Sequence, residues 1–167
     1  MNLQTEIRIV KALTAGIIAA TVFMASTAHA GHIADLFRHY NHRLSQQQAL
    51  NFERIVNDTG KSFGVSPSLI ASIIVVESSA QPNVVSRGGD YGLMQVRYRV
   101  HKDKVKSAAD LFKPEINIKV GTRIFADYYN KKKTIHGALV RYSGGNKNMA
   151  RKVINVYNSL SKKLYKK

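Results

Sequence analysis

Residues 63–96 read FGVSPSLIASIIVVESSAQPNVVSRGGDYGLMQV, an apolar run followed by a polar, glycine-rich segment. Ser66 and Pro67 are typical of a helix start, because Ser favours the N-cap and Pro favours the first helical position. The apolar residues that follow recur at helical spacing as far as Ser78, and Pro82 lies just beyond. The stretch therefore predicts a largely apolar helix that ends just before a polar, glycine-rich loop.

Glu77 occupies an unusual place in the predicted helix. Ile70, Ile73, Ile74 and Glu77 stand at i, i+3, i+4 and i+7, a spacing that puts all four on one face. A carboxyl group at the end of an apolar stripe, near the C-terminal end of a helix, is expected to have a raised pKa. If it stays protonated near neutral pH, it can act as a general acid. The alternative is a Glu that bends out to solvent or pairs with one of the many lysines.

The rest of the chain predicts further helices. They are expected over 45–60, from Pro114 onward, over 134–142 and across 149–160, with a short helical stretch starting near Tyr91. No segment alternates convincingly between apolar and polar residues, so no strand is predicted. The fold class expected is a mainly α single domain of about five to seven helices.

The first thirty residues resemble a secretory signal peptide. Arg8 and Lys11 precede an uncharged, mostly apolar run at 12–25, and Ala28-His29-Ala30 has the small-x-small pattern of a cleavage site. The run is too short for a comfortable membrane span, which needs about 20 residues. We therefore expect an exported protein, most simply periplasmic, with an uncleaved N-terminal anchor as the alternative.

The next segment, residues 31–44, is polar and rich in His. We predict that it is a loosely docked arm on a domain formed by residues 45–167. His39 and His42 are i, i+3 neighbours, but no pattern of carboxylates or Cys accompanies them. Accordingly, neither a metal site nor a cofactor is predicted.

Composition restricts the chemistry and the partners. The 167 residues include 26 Lys and Arg, 10 Asp and Glu and no Cys, with a formal net charge of +16. The lack of Cys excludes disulfides, thiolate zinc sites and Cys nucleophiles. The charge favours an anionic partner without choosing between nucleic acid, a membrane surface and an acidic polymer. Since exported proteins rarely meet nucleic acid, we expect association with an anionic envelope surface or with a secretion system or other protein assembly of the cell envelope.

Four motifs, in this order, resemble those of the soluble lytic transglycosylase family. Residues 77–78 match the family's helix ending in Glu-Ser, and 86–95 match its S-x-x-G-x-x-G-L-M-Q segment. Residues 114–121 are similar to its Pro-x-x-Asn-Ile-x-x-Gly stretch, and 138–145 to its Ala-Leu-x-x-Tyr-Asn-x-Gly motif. The likeness covers about residues 50–160. It implies a lysozyme-like fold with a substrate cleft.

The resemblance also implies an activity and a mechanism. The partner would be a peptidoglycan glycan strand, cut between N-acetylmuramic acid and N-acetylglucosamine. Glu77 would protonate the bridging oxygen and later accept the proton of the sugar's own C6 hydroxyl, which closes a 1,6-anhydro ring. The internal nucleophile has a high effective concentration, so a second carboxylate is not needed.

Four substrate-binding candidates follow from the same motifs. The Tyr142 hydroxyl is expected to reach Glu77 or the glycosidic region, unless Tyr142 is a core aromatic. Gln95 would bind the acetamido sugar or else brace its own loop. Met94 would form an apolar wall beneath a sugar ring or lie in the core, and Ser86 would contact Glu77 or substrate or else make a turn.

Other functions stay open at the level of sequence. If Asp90 lies across the bond from Glu77, the protein would be a hydrolase. The sequence also resembles goose-type lysozymes in its GLMQV segment, which basic residues and His101 follow. Goose-type lysozymes are muramidases that hydrolyse the same bond. A binding module that has lost catalysis and a cationic membrane-active protein are the two remaining alternatives.

Overall fold

Seven α-helices make up most of residues 31–165, the part of the chain that the computed structural model describes. They are α1 (His32–Tyr40), α2 (Gln46–Phe63), α3 (Pro67–Ser78), α4 (Tyr98–His101), α5 (Pro114–Lys132), α6 (Ile135–Tyr142) and α7 (Lys147–Tyr165). Two short strands, β1 (Asp90–Tyr91) and β2 (Val96–Arg97), pair antiparallel, and two 3₁₀ turns span Lys102–Lys104 and Ala108–Phe112. The predicted mainly α fold is confirmed. The predicted signal peptide lies outside the described residues.

Helix α3 runs through the middle of the core. It packs against α2 on one side and α7 on another, and most of its residues are buried. Ile70, Ile73 and Ile74 have no exposed surface. A helix that is apolar on all faces is buried in the core rather than amphipathic. The C-terminal end of α3, which carries Glu77, is where the helix leaves the core. This is how the fold places Glu77.

The start of α3 is where the sequence predicted it. Pro67 is the first helical residue and Ser66 is the N-cap, but the Ser66 side chain makes no capping hydrogen bond. Its carbonyl instead accepts the N–H groups of Leu69 and Ile70 at 2.9 and 3.1 Å. The helix therefore begins through the fixed φ of Pro67 and these backbone bonds.

Helices α2, α5, α6 and α7 also confirm the expectations from sequence. Ser45 caps α2 with a capping box that includes Gln48, and α2 ends at Gly64 in the left-handed conformation, with φ 64°. Helices α5 and α6 pack against each other, and α6 packs against α7. Helix α5 also packs against α2, and α7 against α3, so these helices share one core.

The prediction of a short helix starting near Tyr91 is wrong. Asp90 pairs with Arg97 and Tyr91 with Val96 across a tight antiparallel hairpin. Two residues of the connecting turn, Gly92 and Gln95, have positive φ values of 71° and 48°. An α-helix cannot accommodate such residues, so the next helix begins only at Tyr98.

The loosely docked arm expected at residues 31–44 is also wrong. Residues 32–40 form helix α1, whose Phe37 is completely buried and meets the Phe52 ring edge-on, with centroids 6.2 Å apart. The buried Glu53 accepts the Ala34 N–H at 3.3 Å, which places a carboxyl group at the N-terminus of α1. Helix α1 is thus part of the core.

No helix within residues 31–165 combines the length and apolarity needed to cross a membrane.

Candidate active site

A cleft of about 500 Å³ opens beside the C-terminal end of α3. The β1–β2 hairpin, helix α4, the C-terminal half of α5, the end of α6 and the start of α7 contribute its other walls. The candidate residues that line it are Glu77, Ser86, Asp90, Gln95, Arg97 and Tyr142. The structure therefore brings together Glu77 and three of its four predicted substrate-binding residues. It also places Asp90, the carboxylate of the hydrolase alternative, in the cleft and pairs it with Arg97.

The turn after Glu77 is unusually tight. Ser79 and Ala80 both have positive φ, 51° and 57°, although neither is Gly. The Asn41 side-chain amide donates to the Ala80 carbonyl at 3.1 Å, so the segment after α1 holds this turn. Strained backbone next to a candidate catalytic group is typical of sites where position matters more than stability.

Glu77 is protonated at neutral pH. Burial raises the pKa of Glu77 to about 8, and the negative charge of Asp90 adds to the effect. Among the described residues, no side chain donates a hydrogen bond to the Glu77 carboxyl group or pairs with it as a cation. Nothing therefore offsets the cost of ionising it, and the group carries a proton that it can donate into the cleft.

Asp90 has the opposite electrostatic state in the same cleft. Arg97 donates to both of its oxygens, at 2.6 and 2.9 Å, and the Ser86 hydroxyl donates to one of them at 2.9 Å. The hydrogen bonds from Arg97 keep the pKa of Asp90 below its ordinary value. Sequence reasoning missed Arg97. Opposite charges on the two flanks of a Gly-containing turn are the signal that could have found it.

The Ser86 side chain forms hydrogen bonds within its own loop and none to Glu77. Besides bonding Asp90, its oxygen accepts the backbone N–H groups of Gly88 and Asp90 at 3.2 and 3.1 Å. Gln95 behaves similarly. Its side-chain amide donates to the carbonyls of Gly92 and Val84 at 2.9 and 3.3 Å. Both residues line the cleft, but these bonds already occupy several of their polar groups.

The apolar wall expected from Met94 is wrong. Met94 has no exposed surface, and its sulfur lies 3.7 Å from the Thr122 hydroxyl, inside the core. Its backbone carbonyl accepts the Tyr142 hydroxyl at 2.8 Å. In a loop, unlike a helix, no periodicity tells which side chains turn inward. Thus the GLMQ motif did not reveal the burial of Met94.

Tyr142 lines the cleft, but its hydroxyl donates a hydrogen bond to the Met94 carbonyl rather than to Glu77. Burial raises the pKa of Tyr142 well above its ordinary value, and the charge of Glu77 contributes. The hydroxyl therefore stays protonated and ties the end of α6 to the loop that carries Met94.

Asn117 supports the loop that forms one wall of the cleft. The sequence motif at 114–121 includes Asn117 but did not indicate this role. Asn117 is buried, and its amide nitrogen donates to the carbonyls of Tyr91 and Leu111, both at 2.8 Å. Its oxygen accepts the Met94 N–H at 2.7 Å. One side chain of α5 thus holds three loop positions behind the cleft, and a Cβ on Gly92 would collide with it.

Other residues of the cleft were not predicted. The Arg141 guanidinium lies 5.6 Å from the centre of the Tyr128 ring, and both residues line the cleft. His101 also lines it, and burial lowers the pKa of His101, so its imidazole is neutral at pH 7. Among residues 31–165, no group of three or more His, Asp or Glu side chains is arranged to hold a metal ion.

The structure is a mainly helical domain with a protonated carboxyl group at the end of a buried helix, in an open cleft. The sequence model of the Transglycosylase SLT domain family matches residues 54–165, more than half of the chain. The chain belongs to this family. The resemblance seen in the four motifs is confirmed.

Several lytic murein transglycosylases are similar in sequence. The endo-type membrane-bound lytic murein transglycosylase A of Citrobacter koseri is 35% identical over 92 residues, which cover 50% of this chain and 45% of that protein. The corresponding protein of an Enterobacter species is 37% identical over the same length. The membrane-bound lytic murein transglycosylase E of Buchnera aphidicola is 28% identical over 138 residues, 69% of this chain and 62% of that one. The chain thus spans about half the length of the first two relatives.

Among solved structures, the 70 kDa soluble lytic transglycosylase of Escherichia coli aligns with a TM-score of 0.48 and 25% identity. The alignment covers 62% of this chain and 19% of that one.

Proposed function

We propose that this protein is a peptidoglycan lytic transglycosylase that cuts between N-acetylmuramic acid and N-acetylglucosamine and leaves a 1,6-anhydro sugar. The observation that carries the proposal is Glu77, a carboxyl group with a pKa of about 8 in an open cleft. Such a group still carries its proton at neutral pH and can give it to a leaving oxygen. Membership of the SLT family supports the choice of substrate.

The mechanism uses Glu77 twice. In the first step it protonates the bridging oxygen, the bond from that oxygen to the muramoyl C1 breaks, and positive charge develops on C1. The muramoyl N-acetyl group stabilises this charge. In the second step the Glu77 carboxylate takes the proton of the C6 hydroxyl, and the C6 oxygen bonds to C1. Glu77 ends protonated, and no water is consumed.

Asp90 supports this mechanism as a fixed charge. Paired with Arg97, it stays ionised in the cleft and helps to keep Glu77 protonated. A carboxylate whose oxygens accept bonds from Arg97 and Ser86 is poorly placed to activate water as well. The second candidate function is a muramidase that hydrolyses the same bond. It is favoured by the presence of two carboxyl groups in one cleft.

Analysis of the products tests the proposal. Purified sacculi are digested with the wild-type protein, and the fragments are examined by mass spectrometry. We expect 1,6-anhydromuropeptides, whereas fragments with only reducing ends would favour the muramidase. Glu77→Gln should lower the rate by about 10²- to 10⁴-fold, the usual contribution of a general acid. Glu115→Gln removes an exposed carboxyl group in the first turn of α5 and is the matched control.

We also propose that the protein is exported to the periplasm, with residues 1–30 as a cleaved signal peptide. The basic, apolar and small-residue regions of that segment support export. Cleavage removes Arg8, Lys11 and Glu6 from the total charge of +16, and the net charge of +15 that is left would hold the protein on an anionic envelope. N-terminal sequencing of protein recovered from the periplasm should begin at Gly31. Full-length protein in the membrane fraction would indicate an uncleaved anchor instead.

A further inference from the structure

A second, shallower cavity of about 330 Å³ lies where the end of α5 meets α6 and the start of α7. Four of its lining residues are cationic or basic: Lys132, His136, Arg141 and Lys147. None of its lining residues is acidic. We call this cavity the basic pocket. Its volume suits a small bound group, from a few atoms to a few residues in size, rather than contact with a flat surface.

The basic pocket adjoins the cleft. Arg141 and Gly144 line both cavities. Gly144 lines both cavities and Gly145 lines only the basic pocket. Both have left-handed conformations, with φ 65° and 101°, and a Cβ on either would meet no other atom. Gly144 adds no side chain to the boundary between the two cavities, and Arg141 is the side chain that both cavities share. A ligand held in the cleft can therefore extend past Arg141 into the basic pocket.

The cations of the basic pocket are available to an anion. Within the described residues, none of Lys132, Arg141 and Lys147 lies within ion-pair distance of a carboxylate. The Arg141 guanidinium lies 5.6 Å from the centre of the Tyr128 ring, which lines the cleft, so Arg141 places its charge at the boundary while Lys132 and Lys147 line the basic pocket alone. The field of the pocket is thus positive and not neutralised from within.

We propose that the basic pocket binds carboxylate groups of a peptide stem carried by the glycan strand in the cleft. This inference rests on the proposed function, since it concerns the same substrate. The sugars of such a strand are uncharged, and its negative groups are the carboxylates of the peptides on its muramoyl units. An anion site open to the cleft fits a charged branch of the bound strand better than a separate polymer. The protein therefore prefers strands that still carry their peptides.

Two substrates and matched variants test this preference. Glycan strands are prepared with their peptide stems or stripped of them by an amidase, and kcat/KM is measured on both. The amidase frees one lactyl carboxylate on each muramoyl unit, so the stripped strands keep a charge beside the sugar but lack the carboxylates of the stems. Lys132→Ala and Lys147→Ala should each lower kcat/KM on stem-bearing strands about two- to five-fold, the effect of an exposed ion pair. The rate on stripped strands should not change. Raising the salt concentration should reduce the wild type's preference for stems.

Lys119→Ala is the matched control, because Lys119 is exposed on the same helix as Lys132 but lines neither cavity. An equal loss on both substrates, or no loss on stem-bearing strands, would overturn the inference while the proposed function stands. Absence of 1,6-anhydro products from wild-type digests of both substrates would instead refute the proposed function. In that case, binding of the wild-type protein to the two kinds of strand still tests the pocket.

Discussion

The guanidinium of Arg97 holds the carboxylate of Asp90 through hydrogen bonds of 2.6 and 2.9 Å, in the cleft that also contains Glu77. The two residues face each other across the β1–β2 hairpin. The pair keeps Asp90 ionised, and the charge of Asp90 helps to raise the pKa of Glu77. Burial of Glu77 and this ion pair of the hairpin therefore hold two carboxyl groups in opposite protonation states, which is the division of roles that acid catalysis needs.

Replacing Asp90 by Asn should move the pH profile of the enzyme. Because a nearby negative charge disfavours ionisation of Glu77, its removal lowers the pKa of Glu77 from about 8. The activity requires protonated Glu77, so the alkaline fall of kcat/KM should begin at a lower pH in Asp90→Asn than in the wild type. The measurement is kcat/KM on soluble strands between pH 5 and pH 9.

The control for this profile is Asp110→Asn, which removes a carboxylate paired with Lys113 away from the cleft. Its profile should match that of the wild type. A loss of 100-fold or more in Asp90→Asn at every pH would contradict the prediction. It would instead identify Asp90 as a second catalytic carboxylate of a hydrolase.

Glu77 should reduce the stability of the protein at alkaline pH. Its pKa is about 8 in the folded protein against 4.5 for an ordinary Glu, so between these values the folded state binds more protons than the unfolded state. Stability must therefore fall as the pH rises through this window. At about 1.4 kcal/mol per pKa unit, reduced for partial exposure, Glu77→Gln should raise the free energy of unfolding by about 2–3 kcal/mol at pH 8.

Urea unfolding of the two proteins at pH 4 and pH 8 measures this effect. At pH 4 Glu77 is protonated in the folded state and largely so in the unfolded state, so the two proteins should differ little. A difference that is the same at both pH values would show that packing, and not ionisation, distinguishes the Glu from the Gln.

The helices were predictable because their apolar residues repeat over several turns. The stripe that contains Ile73 and the Ser66-Pro67 start located α3 to within a residue. Helix α1 was missed because its polar composition hides a short stripe, in which Ile33 and Phe37 are one turn apart and buried. Composition is a weaker signal than spacing in so short a segment.

The walls of the cleft were harder to predict than the position of Glu77. Each strand of the hairpin has only two residues, too few for any alternation to be visible. The pairing of Asp90 with Arg97 and the burial of Met94 depend on left-handed turns whose direction no local pattern specifies. Tertiary hydrogen bonds, above all those of Asn117, decide which loop atoms face the cleft.

Two glycines of the same loop should respond differently to substitution. Gly89 and Gly92 both have positive φ, 75° and 71°, so Ala at either position costs about 1 kcal/mol in backbone conformation. A Cβ on Gly89 meets no atom, but one on Gly92 would collide with the Leu111 carbonyl and the Asn117 amide. Gly92→Ala should therefore lower the free energy of unfolding by at least about 2 kcal/mol more than Gly89→Ala.

Thermal and urea unfolding of the two variants measure the difference, and Gly89→Ala serves as the control for the backbone cost. Activity should follow the same order, because displacement of Asn117 frees the loop that holds Met94 and the cleft wall. Equal destabilisation by the two substitutions would mean that the loop yields at Gly92 and that Asn117 does not hold it rigidly.

Tyr142→Phe separates a structural hydroxyl from a catalytic one. The hydroxyl donates to the Met94 carbonyl at 2.8 Å, and its removal leaves that carbonyl without its partner. We therefore expect the free energy of unfolding to fall by about 1–2 kcal/mol. Tyr128→Phe is the control, since no described residue hydrogen-bonds its hydroxyl. If the hydroxyl is only structural, kcat of Tyr142→Phe should stay close to that of the wild type. If Tyr142 instead passes its proton to Glu77 or the substrate during the reaction, kcat will fall about 100-fold or more, as it does when a catalytic acid or base is lost.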